Sequence, residues 1–113
     1  MEKIGGAISF ASEQNIDFFG CKAVISKDFS KIADKVADST VLIAISSSFS
    51  SEVIKILEEK NIKPIVLDKH SIEDAYKTFE DKDSEAFLIQ NEDGSFKVKF
   101  FSGSLSKSFP VKK

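Results

Sequence analysis

Residues 40–45 read TVLIAI, the most apolar run in the chain. The run is too short for a helix and unbroken by polar side chains, so it predicts a central strand buried on both faces, with parallel neighbours. Working back from it, Phe29, Ile32, Ala33, Val36 and Ala37 fall at i, i+3, i+4, i+7 and i+8 behind Asp28, with Lys31, Asp34, Lys35 and Asp38 opposite. That pattern predicts an amphipathic helix lying on a sheet, with Asp28 as its N-cap. Residues 22–26 (KAVIS) form a β-branched strand before it. Residues 4–10, apolar around Gly5 and Gly6, form an earlier strand that another backbone approaches closely. Residues 11–19 show no clear period; they leave room for one helical turn at residues 12–14 before Gly20 breaks the chain.

Working forward, residues 46–51 (SSSFSS) lead into a helix striped by Val53, Ile54 and Leu57. Residues 65–67 return as a strand, which Pro64 can open because a first residue need not donate to the ladder. Ser71 is expected to cap a third helix with Ile72, Ala75, Tyr76 and Phe79 on one face and Asp74 completing a capping box. Residues 86–90 and 95–101 then alternate around Asn91-Glu92-Asp93-Gly94 as a hairpin, and Lys97 and Lys99 suit an edge strand. The expected architecture is a three-layer α/β/α domain with a largely parallel open sheet, right-handed crossovers and a C-terminal β-hairpin. It spans residues 1–101, and residues 102–113 (SGSLSKSFPVKK) read as a poorly ordered basic tail.

The 113 residues, 42% of them apolar, can bury a single core without covalent staples. Cys21 is the one cysteine, so an intrachain disulfide is excluded and a four-thiolate metal site cannot come from one copy. No apolar run reaches membrane-span length and no secretory layout opens the chain; a cytoplasmic setting is expected. All 16 basic residues are lysines. Without the bidentate fork of arginine, base-specific reading of DNA is disfavoured. After Asp93 come five lysines and no acid. Because rings are not interleaved with them along the tail, that end reads as solvated rather than as a nucleic-acid arm.

In a parallel sheet, ligands gather beyond the carboxyl ends of the strands. There the sequence places Ser9 and Ser12, then Ser26, Lys27 and Asp28, then residues 46–51, then Asp68, Lys69, His70 and Ser71. Ser46, Ser47, Ser48 and Ser51 offer hydroxyls and helix-opening N–H groups to an anion. Lys27 and Lys69 would neutralise it, and His70 is the one imidazole able to titrate near neutral pH. No G-x-S-x-G elbow accompanies the serines, so no catalytic residue is assigned and the chain reads as a non-enzymatic binding module. Cys21 is the one soft metal ligand; a single thiolate does not enclose a cluster, so no metallocluster is expected in a monomer. The partners expected are a small anion or a protein, with a homodimer left open, and neither nucleic acid nor membrane.

Residues 37–79, ADSTVLIAISSSFSSEVIKILEEKNIKPIVLDKHSIEDAYKTF, resemble the second half of the small dinitrogenase iron-molybdenum cofactor biosynthesis domains: a strand after an acidic turn, a short loop, a helix ending before NIKPIV, and a closing helix. Residues 4–20, IGGAISFASEQNIDFFG, resemble that family's opening strand and His-Phe-Gly motif, with Phe18, Phe19 and Gly20 in the motif's place. The resemblance implies a ribonuclease-H-like α/β/α fold over residues 4–79 that carries or delivers a metallocluster without turnover of its own. The family's histidine is Phe18 here, which has no lone pair, and its glycine-rich loop is the serine run 46–51. The scaffold is thus implied more firmly than the cluster site, for which only Cys21 remains. As an alternative, residues 44–53 (AISSSFSSEV) resemble sugar-isomerase phosphosugar-binding domains, in which Ser46, Ser47, Ser48 and Ser51 would hold the phosphate.

Overall fold

In the computed structural model, which describes residues 3–12 and 18–112, the chain runs β1 (Ile4–Phe10), β2 (Ala23–Ile25), α1 (Ala33–Ala37), β3 (Ile43–Ser46), α2 (Ser51–Glu59), β4 (Lys63–Val66), α3 (Lys69–Phe79), β5 (Glu85–Gln90), β6 (Phe96–Ser102) and β7 (Leu105–Pro110). Residues 13 and 14 of the helical turn expected after β1 lie outside the described residues. The seven strands form one sheet in the order β4-β3-β2-β1-β5-β6-β7. As the second half of the TVLIAI run predicts, β3 lies inside a parallel group, with Ile43, Ala44 and Ile45 fully buried between β2 and β4, whereas the strand starts only at Ile43 and Leu42 before it is exposed.

The parallel pattern stops at β1. Its carboxyl half pairs parallel with β2 (Ile8 to Ala23, Phe10 to Ile25), whereas its amino half pairs antiparallel with β5 (Ile4 to Leu88, Ala7 to Glu85). Two glycines permit this double service. Gly5 and Gly6 hold φ of 142° and 154°, and a Cβ on Gly5 would run into the carbonyl oxygen of Ala86. From β5 the chain continues antiparallel into β6 and β7.

This arrangement corrects the three-layer, largely parallel α/β/α expectation, and with it the ribonuclease-H-like fold that the resemblance implied. The molecule is a mixed seven-stranded half-barrel with few helices. Its sheet curls until the two outer strands approach: Lys112 N–H, just after β7, donates to the carbonyl of Val66 at the end of β4 (2.8 Å). Helix α3 lies inside the curl. Its buried Ile72, Ala75 and Phe79 join inward residues from all seven strands, among them Phe10, Ile25, Ile45, Ile65, Leu88, Phe100 and Phe109, in one core. Phe79 and Phe100 stack at its centre, 5.5 Å between ring centroids. On the convex side α1 and α2 cover a second core built from Val24, Phe29, Val36, Ala44, Val53 and Leu57.

Four local expectations also change. Residues 102–113, read as a poorly ordered tail, contain β7, which buries only Phe109 and therefore carries almost no apolar pattern to read. Because β7 pairs with β6, the lysine-bearing β6 is an inner strand rather than an edge. Asp28 accepts a hydrogen bond from Ser30 N–H (2.9 Å) and so starts a turn, but the regular helix begins only at Ala33. Helix α3 starts before Ser71: Asp68 is its N-cap, accepting from Ser71 N–H (2.8 Å), and Asp74 pairs with Lys107 and Thr78 instead of closing a capping box.

Candidate functional site

Where β1 and β2 end, α1 stands on one side of the sheet and α3 on the other, and a cleft of about 850 Å³ opens between them. That is the range of a small-molecule site, at the carboxyl ends of parallel strands where such sites form. Ala11, Ser12, Ser26 and Lys27 come from the strand ends, Asp28, Lys31, Ile32 and Lys35 from the turn into α1 and from α1, and Glu73, Tyr76, Lys77 and Glu80 from α3. Lys31, in the turn before α1, and Lys35, within α1, line the same cleft.

Tyr76 holds the base of the cleft together. Its hydroxyl lies 3.1 Å from the carbonyl oxygens of both Ala11 and Ile25, and donates its single proton to one or the other. Its ring meets Phe10 edge-on at 5.2 Å, and the Lys27 ammonium lies 5.1 Å from the ring centroid. Burial first, and the Glu80 charge second, push the phenol up to about 12. It is therefore neutral at physiological pH and acts as a hydrogen-bond donor, not as a phenolate. Ser26 is occupied by a tight turn, donating to the Asp28 carbonyl (3.0 Å) and accepting from Asp28 N–H (3.2 Å). The Asp28 carboxylate is held below its ordinary range chiefly by the Ser30 backbone N–H, then by the Ser30 hydroxyl, with Lys31 adding to the effect.

Lysine charge in the cleft is not cancelled by contact. Ion pairs within 4 Å among the described residues are Lys82–Asp81 and Lys107–Asp74, and neither lies in this cleft. Lys31, Lys35 and Lys77 thus line it without a contact ion pair, while Asp28 near Lys31 and Glu73 and Glu80 on the α3 side place three negative charges around it.

The expected anion set is split by the fold. Lys27 lines the cleft, together with Ser12 and Ser26 of the hydroxyl-rich loops. Ser46, Ser47, Ser48 and Ser51 do not line it. Ser46 ends β3, is fully buried, and has no hydrogen-bond partner for its hydroxyl among the described residues. Ser50 is spent on capping α2, accepting from Val53 N–H (3.2 Å). Lys69 and His70 stand exposed in the first turn of α3, also outside the cleft. Cys21 is half-buried and lines a smaller cavity of about 310 Å³ with Ser9, Ser12, Glu80 and Lys82. Phe18, in the place of the resembled family's histidine, is buried in the convex core. Phe18, Cys21 and the serine loop therefore do not surround one cavity. Among the described residues no group of three or more His, Cys, Asp or Glu side chains is placed to hold a metal ion.

Lys31, Lys35, Glu73, Lys77 and Glu80 were legible only as the solvated faces of two amphipathic helices, and Tyr76 only as part of a core stripe. The available signal was that these polar faces flank the loops at the ends of β1 and β2; nothing local says that they face each other. No protein-family model, curated protein or solved structure matches the chain.

Proposed function

We propose that this protein is a non-enzymatic binding module that takes a small anionic ligand in the cleft between α1 and α3. The observation that carries this reading is the set of lysines 27, 31, 35 and 77 around one cleft of ligand size, without contact ion pairs. Each lysine supplies a point charge rather than a planar fork, which suits a phosphate or carboxylate approached from several directions. Ala11, Ile32 and the Tyr76 ring offer an apolar surface to the body of the ligand, and the Ser12 hydroxyl adds a polar contact. Asp28, Glu73 and Glu80 disfavour a long polyanion and favour a small ligand that also carries hydroxyl or amino groups. An accessory role of the kind implied by the cofactor-biosynthesis resemblance fits a carrier without turnover. The serine loop is the weaker place for a phosphosugar, since Ser46 is sealed and Ser50 is occupied.

The test is a thermal-shift panel of inorganic phosphate, phosphorylated sugars, nucleotides and dicarboxylates at millimolar concentration, on the wild type and on the Lys31→Glu/Lys35→Glu variant. A ligand at a hundredfold excess over its Kd adds about 2.7 kcal/mol to stability. A shift in the wild type that the variant loses is expected; no shift with any member of the panel, or an equal shift in both proteins, overturns the reading.

A further inference from the structure

The convex side of β5, β6 and β7 forms a second surface. Ala86, Leu88, Val98, Phe100 and Phe109 point into the core around α3. Alternation along the strands therefore turns Glu85, Phe87, Ile89, Lys97, Lys99 and Phe101 outward. The core beneath α1 and α2 takes no residue from these three strands, so among the described residues no helix covers this face. Phe87 and Phe101 remain partly exposed, with ring centroids 6.0 Å apart at 69°. The Lys99 ammonium lies 4.9 Å from the Phe101 centroid. Register sets Lys97 opposite Ile89, Lys99 opposite Phe87 and Phe101 opposite Glu85, so both lysines lie on the same face as the two rings.

We propose that this face binds single-stranded polynucleotide without sequence preference, bases stacking on Phe87 and Phe101 and phosphates meeting Lys97 and Lys99. Every base has a π-face, so ring stacking tolerates sequence, and lysine contacts to phosphate carry no base information. The lack of arginine fits this mode, since none of the bidentate readers of base edges is needed. Charge also favours a polyanion: no acid follows Asp93, and Glu85 is the one acid among the outward residues of these strands. A second copy docked across a two-fold axis on this face would bring Lys97 and Lys99 of both copies into one interface. The FKVKFF run (residues 96–101) reads in the sequence as an edge strand with solvated lysines, and as β6 it sorts Lys97, Lys99 and Phe101 onto one side, where Phe87 of β5 joins them.

Fluorescence anisotropy with labelled oligo-dT, oligo-dA and oligo-U of about twenty nucleotides tests this, and the DNA and RNA arms show which sugar is preferred. Saturable binding to oligo-dT and oligo-dA alike is expected, with log K falling against log salt at a slope of about −1.4 for two phosphate contacts. Phe101→Leu keeps apolar bulk but removes the ring, and should weaken binding about fivefold or more. Lys97→Glu/Lys99→Glu should abolish binding, and Lys31→Glu/Lys35→Glu in the cleft should leave it unchanged, which separates this surface from the anion site. The proposal is overturned by the absence of saturable binding, by wild-type binding in the Lys97→Glu/Lys99→Glu variant, or by a dimer in light scattering that this same pair of substitutions dissociates. Should Phe101→Leu lose its circular dichroism signal, the lysine pair decides.

Discussion

Replacing Ser46 with alanine should stabilise the protein. Ser46 is fully buried at the end of β3, and its hydroxyl has no hydrogen-bond partner among the described residues. Removing a hydroxyl from water without a replacement bond costs about 1–3 kcal/mol, a penalty the alanine variant escapes. Against this stands the loss of a few oxygen contacts worth about 0.1–0.2 kcal/mol each, so the net gain should be about 1 kcal/mol. For a chain of this size that corresponds to a rise in Tm of about 4 °C. Urea denaturation followed by circular dichroism measures it directly, with an unchanged slope certifying that the same transition is compared. Ser84→Ala is the internal control: Ser84 is also buried, but its hydroxyl lies 3.2 and 3.1 Å from the carbonyls of Phe79 and Lys82. The same chemical change there should cost about 1 kcal/mol. Opposite signs at the two serines support the reasoning. A Ser46→Ala variant destabilised by as much as Ser84→Ala would refute it, because the hydroxyl must then be bonded.

Gly5→Ala should be among the most damaging single substitutions, costing about 3 kcal/mol or more, since the added methyl meets the Ala86 carbonyl at a φ that disfavours any side chain; a cooperative transition of wild-type midpoint would contradict this. Tyr76 is the one tyrosine, so ultraviolet titration reads it alone, and the native phenol should ionise near pH 12 against about 10 in the unfolded chain. The folded state then holds its proton longer, so this contribution to stability is complete below the unfolded value and is lost as pH rises from 10 through about 12; Tyr76→Phe should remove that alkaline loss and cost about 1 kcal/mol at neutral pH. In acid the sign reverses: Asp28, Asp68, Asp74 and Asp93 all lie below the ordinary 3.8, so their contribution is present above that value and is lost as pH falls through their lower native values. Acid denaturation curves should therefore steepen below about pH 4, and Lys107→Ala, which removes the chief cause of the Asp74 shift, should soften them.

Much of the element order could be read from the chain because the signals are local. The TVLIAI run needed only length and composition to mark a strand buried on both faces, and Ile72, Ala75 and Phe79 needed only helical spacing to mark the inner stripe of α3. The hairpin of β5 and β6 followed from alternation around Gly94. β7 escaped because an outer strand covering a core already filled by Phe79 and Phe100 buries one residue, Phe109, and shows the solvent serines and lysines that also mark a flexible end. The site was half legible: Ser12, Ser26 and Lys27 were read at strand ends, whereas the serine loop carried the strongest polar signal and lies outside the cleft.

What the sequence by itself determined is the order and type of the elements from β1 to β6 and which stripe of each is apolar, because backbone propensity and side-chain period act over a few residues. Only the tertiary structure decided that β1 serves two pairings, that the sheet curls around α3, and that Lys31 and Lys35 share one cleft with residues of α3. Those outcomes depend on contacts between residues far apart in the chain: the Ala86 carbonyl against Gly5, the Tyr76 hydroxyl on the ends of β1 and β2, and Lys112 against Val66. No window of neighbouring residues encodes such contacts, because their free energy exists only once the sheet has closed on its helix.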